Sequence, residues 1–309
     1  MITLKTALAT YGHTKALKDG SLSPKRAKLE FEEFTPQSAA FKAMVPEAKL
    51  DLVEMVISHY VMARDHGYPF IGIPVFPVRQ FHHSAVTVNT KAGVTTPKDL
   101  EGKKVGVRTY GFSRGIWARA ALALEYGVDL GKVTWVVDEK EAVPEYTPPA
   151  NVEINSGGDM AKQFQSGEIA GGIGVAGGDS PDIKPLIENA SQAEAASFKA
   201  TGVYPMSHIL VLRSSLAEED PELPIDLFNA FKEAKARLLA EIDSGAELAG
   251  GDKATAAARA IVGPDPLPYG VEANRKTLEM AVEQAHLQGF TRRRFSVEEL
   301  FVPSTLKLT

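Results

Sequence analysis

The chain has 309 residues, enough to bury a substantial core in one large or two medium domains. Apolar residues make up 44% and charged residues 24%, an ordinary globular composition that excludes fibrous, disordered and membrane-embedded chains. The net charge of −5 speaks against bulk nucleic-acid binding, and the lack of any cysteine excludes disulfides, thiol nucleophiles and cysteine–zinc sites.

From the N-terminus, Ile2, Leu4, Thr6 and Leu8 alternate with Thr3, Lys5 and Ala7, a strand pattern rather than the apolar block of a secretory signal. With no run approaching the length of a membrane helix, the chain is expected in the cytoplasm. A polar loop with Tyr11, His13 and Thr14 is expected next, then a strand at Ala27–Phe34. A helix begins at Thr35–Pro36, with Phe41 and Met44 on its apolar face. Leu52–Met55 reads as a short buried strand, Ser58–Asp65 as a helix closed by Gly67, and Phe70–Phe76 and Ala85–Val88 as strands.

A second unit opens near Gly93. Thr96–Leu100 is a capped turn, Lys103–Val107 a strand, and Arg108–Ser113 a polar loop that enters the helix Arg114–Tyr126. Val133–Val137 is a strand, Val143–Pro149 a proline-containing surface loop, Asp159–Ser166 a helix and Ile169–Val175 a glycine-rich strand. His208–Leu212 is a further strand, followed by helices at Pro224–Ile242, Asp252–Val262 and Val271–Gln288. This alternation predicts an α/β fold with largely parallel strands and flanking helices.

Several residues could carry chemistry. In an extended stretch, Arg79, Phe81 and His83 share one face and Gln80 and His82 the other; His83 is favoured because Arg79 would hold an anion beside it. A surface arginine beside a hydrogen-bonded core histidine fits the same residues. His13, Thr14 and Lys15 follow the first strand, where a cleft-facing group would emerge. Glu54 stands out in an apolar run, where burial would raise its pKa and suit it to proton exchange, unless a nearby cation pairs with it. Ser113 is the expected N-cap of a helix whose free N–H groups, with Arg108 and Arg114, favour a carboxylate, and Tyr110 could stack on an aromatic ring. His208 opens the last strand. His59, His66 and His286 lie in helical patterns and receive no role. Gly171, Gly172, Gly174, Gly177 and Gly178 match neither a phosphate loop nor a dinucleotide fingerprint, and no metal motif is present.

Two stretches resemble the second lobe of type II periplasmic-binding-protein folds: Thr96-Pro-Lys-Asp-Leu-Glu-Gly-Lys-Lys-Val-Gly-Val107 and Phe164-Gln-Ser-Gly-Glu-Ile-Ala170. Three others, Tyr11–Gly20, Pro74–Ser84 and Tyr204–His208, resemble the 4,5-dihydroxyphthalate decarboxylase family over nearly the whole chain. The resemblance implies two α/β lobes around a ligand cleft: 1–90 plus 206–309, and 91–205. It places hinge crossings near Asn89–Gly93 and Gly202–Met206.

It further implies a cofactor-free carboxy-lyase acting on a small aromatic dicarboxylate; the lack of a metal motif leads to no metal being expected, with convergence of His13, His83, His208 and Glu54 from separate segments left open. His83 would transfer the proton, with His13 or Glu54 as partner. Arg79, Arg108 and Arg114 would hold carboxylates, and Thr14, Tyr110, Ser113 and His208 would line the substrate site. Neither nucleic acid nor membrane is expected as a partner, and a homo-oligomer is left open. A binding protein for an aromatic carboxylate, and a different small-acid lyase such as a chorismate-dehydratase-like enzyme, are the competing readings.

Overall fold

The computed structural model describes residues 1–45, 49–248 and 250–309. Its first sheet is built from β1 (Ile2–Ala7), β2 (Ala27–Phe31), β3 (Leu52–Val56), β4 (Phe70–Ile73) and, much later in the chain, a strand at His208–Arg213. Between the early strands lie α1 (Gly12–Lys18), α2 (Ser38–Met44) and α3 (Ile57–Asp65). The second sheet takes β5 (Val86–Asn89), β6 (Lys104–Val107), β7 (Thr134–Val137), β8 (Val152–Ile154), β9 (Gly171–Ile173) and β10 (Ile183–Pro185). With it go α4 (Ser113–Tyr126), α5 (Met160–Ser166) and α6 (Ala190–Thr201). The returning strand at His208–Arg213 is β11, followed by α7 (Ser214–Glu219), α8 (Leu223–Asp243), α9 (Gly251–Val262) and α10 (Arg275–Leu287).

The strand orders are β2-β1-β3-β11-β4 and β10-β5-β9-β6-β7-β8. Both sheets are mixed, a departure from the largely parallel reading. β11 runs antiparallel between β3 and β4, and β5 runs antiparallel to β9 and β10. Each of these strands enters its sheet from a chain crossing and so runs against its neighbours. The result is the two-lobed architecture implied by the sequence resemblance.

Alternation along β3 and β11 sends Leu52, Leu210 and Leu212 to one face, where α8 covers them with Leu227, Phe228 and Phe231. Val53, Met55, Ile209 and Val211 go to the other, against Phe41, Met44, Tyr60 and Phe76. Tyr60 anchors this second face to the C-terminal segment, its hydroxyl donating to the Leu300 carbonyl at 2.5 Å and accepting the Gly72 N–H at 2.8 Å. Gly72 is required there: a Cβ would come within 2.6 Å of the Leu300 carbonyl oxygen.

The chain leaves the first sheet at Ile73 and joins the second at Val86, so the expected crossing at Asn89–Gly93 is displaced. Asn89 ends β5 inside the second sheet, where its side chain is tied to the Phe164 carbonyl at 2.7 Å. The outgoing and returning segments pair with one another: Arg79 bridges Met206, and Ser207 N–H donates to the Val78 carbonyl at 2.7 Å. Trp117 of α4 donates its indole N–H to the Met206 carbonyl at 2.8 Å, fastening this hinge to the second lobe.

Tyr60→Phe removes one hydroxyl and leaves a buried N–H and a buried carbonyl unpaired. The expected cost is about 1–3 kcal/mol, read as a lower guanidinium midpoint at unchanged slope. An unchanged midpoint would show that both groups find other partners.

Candidate active site

Glu54 lies in the middle strand of the first sheet, on the same face as Leu52 and wholly buried. Burial raises its pKa, but the surrounding hydrogen bonds outweigh this and hold it below the usual carboxylate range. His208 Nδ1 meets Oε1 at 2.5 Å, the Tyr11 hydroxyl donates to the same oxygen at 2.6 Å, and the Ala9 N–H donates to Oε2 at 3.0 Å. Because an ionised carboxylate only accepts, Nδ1 of His208 must carry the hydrogen. Its Nε2 has no protein partner among the described residues, and the side chain keeps 18% of its surface exposed.

His13 stacks on Tyr11, with ring centroids 5.1 Å apart and planes within 7°. Neither of its nitrogens completes a hydrogen bond, and burial pushes its pKa down to about 4 against the attraction of Glu54 and Asp252. The expected polar loop here is in fact α1. Thr14 is absorbed by that helix: its hydroxyl accepts the Tyr11 N–H and donates to the Ala9 carbonyl, both at 2.9 Å. Seven residues are too few for a helical period to show in the sequence.

Tyr11, His13 and Arg79 line one cavity of about 480 Å³, shared with Ser84, Glu194 and Asp252. The buried Arg79 guanidinium donates to Asn274 and packs 5.2 Å from the Tyr204 ring. Burial lowers its pKa to about 10, which leaves it cationic at neutral pH.

From the second lobe, Arg108 and Arg114 flank the Phe112 ring at 5.3 and 5.9 Å. Both are exposed, and among the described residues neither has a carboxylate partner. They sit at the N-terminus of α4, where the first N–H groups lack intrahelical acceptors. Phe112 rather than Ser113 holds the N-cap position; Ser113 is the first helical residue and is buried. The preceding loop is gripped from the first lobe, which sets this entry into the helix. Ser58 donates its hydroxyl to the Gly111 carbonyl, and the Gly111 N–H donates to Glu141 at 2.7 Å. His59 Nε2 meets the other oxygen of Glu141 at 2.6 Å. Phe41 touches His208 edgewise and His59 at a tilt, each at 6.1 Å between centroids, so the Glu54 cluster and this clasp are neighbours.

Two expected residues lie elsewhere. A 3₁₀ turn at His83–Ala85 breaks the assumed alternation, so both His82 and His83 are buried and line a different cavity, between α4 and α6. There His83 Nε2 pairs with Glu125 at 2.9 Å, while Arg79 turns to Asn274 instead. Tyr110 points into the core, stacked under the buried Arg119 guanidinium at 4.0 Å and against Phe290 at 5.0 Å. His59, Tyr11 and Glu141 were not assigned roles from the sequence. His59 was hidden by its helical setting, and Glu141 sits in a loop with no pattern to mark it. Among the described residues no cluster of three or more His, Asp or Glu side chains is placed to hold a metal ion, and no helix is long and apolar enough to cross a membrane.

Two α/β lobes, each with a mixed sheet and joined by paired hinge segments, define a chain of the periplasmic-binding-protein-like fold. Escherichia coli SsuA, a periplasmic aliphatic sulphonate binding protein, superimposes with a TM-score of 0.55 at 14% identity over 99% of both chains. The desulfurization enzyme DSZB does so with a TM-score of 0.54 at 14% identity, over 99% of this chain and 98% of its own. At such identities these likenesses concern the fold. Residues 28–241 match the family described as NMT1/THI5 like. A 4,5-dihydroxyphthalate decarboxylase of Comamonas testosteroni is 30% identical over 98% of this chain and 97% of its own length. The chain belongs to the NMT1/THI5-like family and to the 4,5-dihydroxyphthalate decarboxylase family.

The buried histidines make stability depend on pH. Burial lowers His13 to about 4; burial, then the Arg114 charge, lowers His82 to about 3. In the unfolded chain both titrate near 6.5. Between these limits the unfolded state binds more protons, so stability falls as pH falls below about 6.5, by up to about 1.4 kcal/mol per unit for each ring, and the slope fades below about pH 3–4. Guanidinium midpoints from pH 7 to 4 measure this, and His82→Phe should remove one proton from the slope. A pH-independent midpoint would show that both rings take up protons in the folded state.

Proposed function

We propose that this protein decarboxylates 4,5-dihydroxyphthalate, or a close hydroxylated aromatic dicarboxylate, to 3,4-dihydroxybenzoate and carbon dioxide. The full-length likeness to a decarboxylase of that name supports the reaction. The observation that carries it within the molecule is the Glu54–His208 pair, since a site that only bound a carboxylate would have no use for a buried anion orienting a histidine.

Direct loss of CO2 from an aromatic ring would leave an aryl carbanion. The hydroxyl para to the departing carboxylate offers another route. As it loses its proton, electron density moves to the ring carbon that bears the carboxylate, and that carbon takes a proton. The dearomatised keto intermediate then breaks its carbon–carboxylate bond; the bonding pair returns to the ring, the phenolate re-forms and CO2 departs.

His208 suits the proton transfer to carbon. Its Nε2 is free, and Glu54 both fixes the tautomer and stabilises the imidazolium that must form. Tyr11 shares the Glu54 oxygen that His208 meets, and His13, held neutral by burial, stacks on Tyr11 in the wall of the cavity. Arg108 and Arg114 supply two unpaired cations for adjacent carboxylates, and Arg79 a third, buried one. The Ser58–Gly111 and His59–Glu141 contacts hold the lobes closed around the reacting ring and exclude water. A cytoplasmic location is part of this reading, since it concerns a catabolic step rather than capture outside the cell.

Steady-state CO2 release from 4,5-dihydroxyphthalate tests the assignment. His208→Ala should lower kcat by about 10²–10⁴ with a smaller change in KM. Loss of kcat in His83→Ala with retention in His208→Ala would move proton transfer to the cavity between α4 and α6.

The cationic pair has its own signature. Arg114→Ala should raise KM by about 10–150-fold, because a charge-assisted hydrogen bond contributes roughly 1.5–3 kcal/mol. Arg114→Lys should recover part of this, keeping the charge without the two-pronged geometry. A kcat loss at constant KM in Arg114→Ala would refute the carboxylate role.

A further inference from the structure

A second cavity, of about 390 Å³, lies between α4 and α6 and shares Phe81 with the cavity lined by Tyr11, His13 and Arg79. Its position is unusual because both hinge segments reach it: Phe81–His83 from the outgoing crossing, Val203 and Pro205 from the returning one. Most of its wall is apolar, from Trp117 and Leu124 on α4, alanines on both helices, and Met280. Its polar lining residues are His82, His83, Glu125, Ser197 and Thr201. His82 is buried and hydrogen-bonds through neither ring nitrogen among the described residues, and Nδ1 of His83 is also buried and unpaired. Glu125 already has both oxygens engaged, one by His83 Nε2 at 2.9 Å and the other by the Ser197 hydroxyl at 2.8 Å.

We propose that this cavity is a second small-molecule site at the hinge, taking a neutral hydroxylated aromatic ring. An apolar slot with an indole and two buried histidines among its lining residues matches a ring that carries a hydroxyl. No lysine or arginine lines the cavity, and the Glu125 carboxylate is held in its charged form by His83 and Ser197 against the effect of burial. An anionic ligand therefore meets a like charge and no cationic lysine or arginine in the lining. His82 is kept neutral by burial and by Arg114, so it can accept a hydroxyl hydrogen without a proton exchange. The site does not depend on the proposed reaction: it shares no polar group with the Glu54 cluster.

The chain supplies its own reporter. It has two tryptophans, Trp117 in the cavity wall and Trp135 fully buried in the second lobe. Titrating the full-length protein with phenol, with phthalate present throughout to fill a catalytic site, should change the emission saturably. The expected dissociation constant is about 1 mM or tighter, and benzoate should bind at least about tenfold more weakly. Trp117→Phe should abolish the response. Ala200→Phe and Thr201→Trp, both at exposed positions of α6, fill the cavity from outside and should weaken binding at least about tenfold, measured for each by calorimetry after a melt confirms folding. His82→Phe should weaken phenol more than it weakens toluene. No saturable change with phenol, a response that persists in Trp117→Phe, unchanged affinity in both filling variants, or benzoate binding as well as phenol would each overturn the proposal.

Discussion

The charge on Glu54 constrains everything around it. A carboxylate placed with no exposed surface between the strands of a sheet is tolerable only if its lone pairs are filled, and the chain brings three donors to it from separate places. Ala9 comes from the end of β1, Tyr11 from the start of α1 and His208 from the first residue of β11. The carboxylate thus fixes how the first strand turns into its helix and where the returning chain enters the sheet. It also determines which nitrogen of His208 is left free. The local order of the lobe and the chemistry proposed for it have one cause.

The second lobe is arranged on a different principle. Its loop Arg108–Phe112 is gripped by Ser58 of the first lobe and Glu141 of the second, and Arg108 on the loop and Arg114 on the first turn of α4 are exposed. The two lobes meet here through Ser58–Gly111 and the His59–Glu141 pair, and among the described residues neither arginine has a carboxylate partner.

Most of the regular structure was legible because its signals are local. Period-two alternation marked β1, the apolar run marked β3, and Gly67, at positive φ, marked the end of α3. The amphipathic repeat of α8 showed equally well. What escaped depends on partners far along the chain. The capping contacts that make α1 a helix involve Ala9 and Thr14 over a span too short for periodicity. α6, rich in alanine and exposed polar residues, has no fully buried face to betray it. Glu54 was visible as a charge in an apolar strand, yet its partners and the sense of its shift were not: burial alone predicts a raised pKa, and only the folded contacts reverse it. His83 was misplaced because one 3₁₀ turn cancels the alternation from which its direction was read.

The two free arginines beside Phe112 bear on turnover as well as capture. On the proposed reaction the substrate arrives with two ring carboxylates and the product leaves with one. A clamp built from paired cations therefore loses one of its counter-charges as carbon dioxide departs. The attraction that gathers the substrate weakens in the same step that forms the product, so product release is favoured by electrostatics alone, and the catechol part of the ring need not be distinguished between the two.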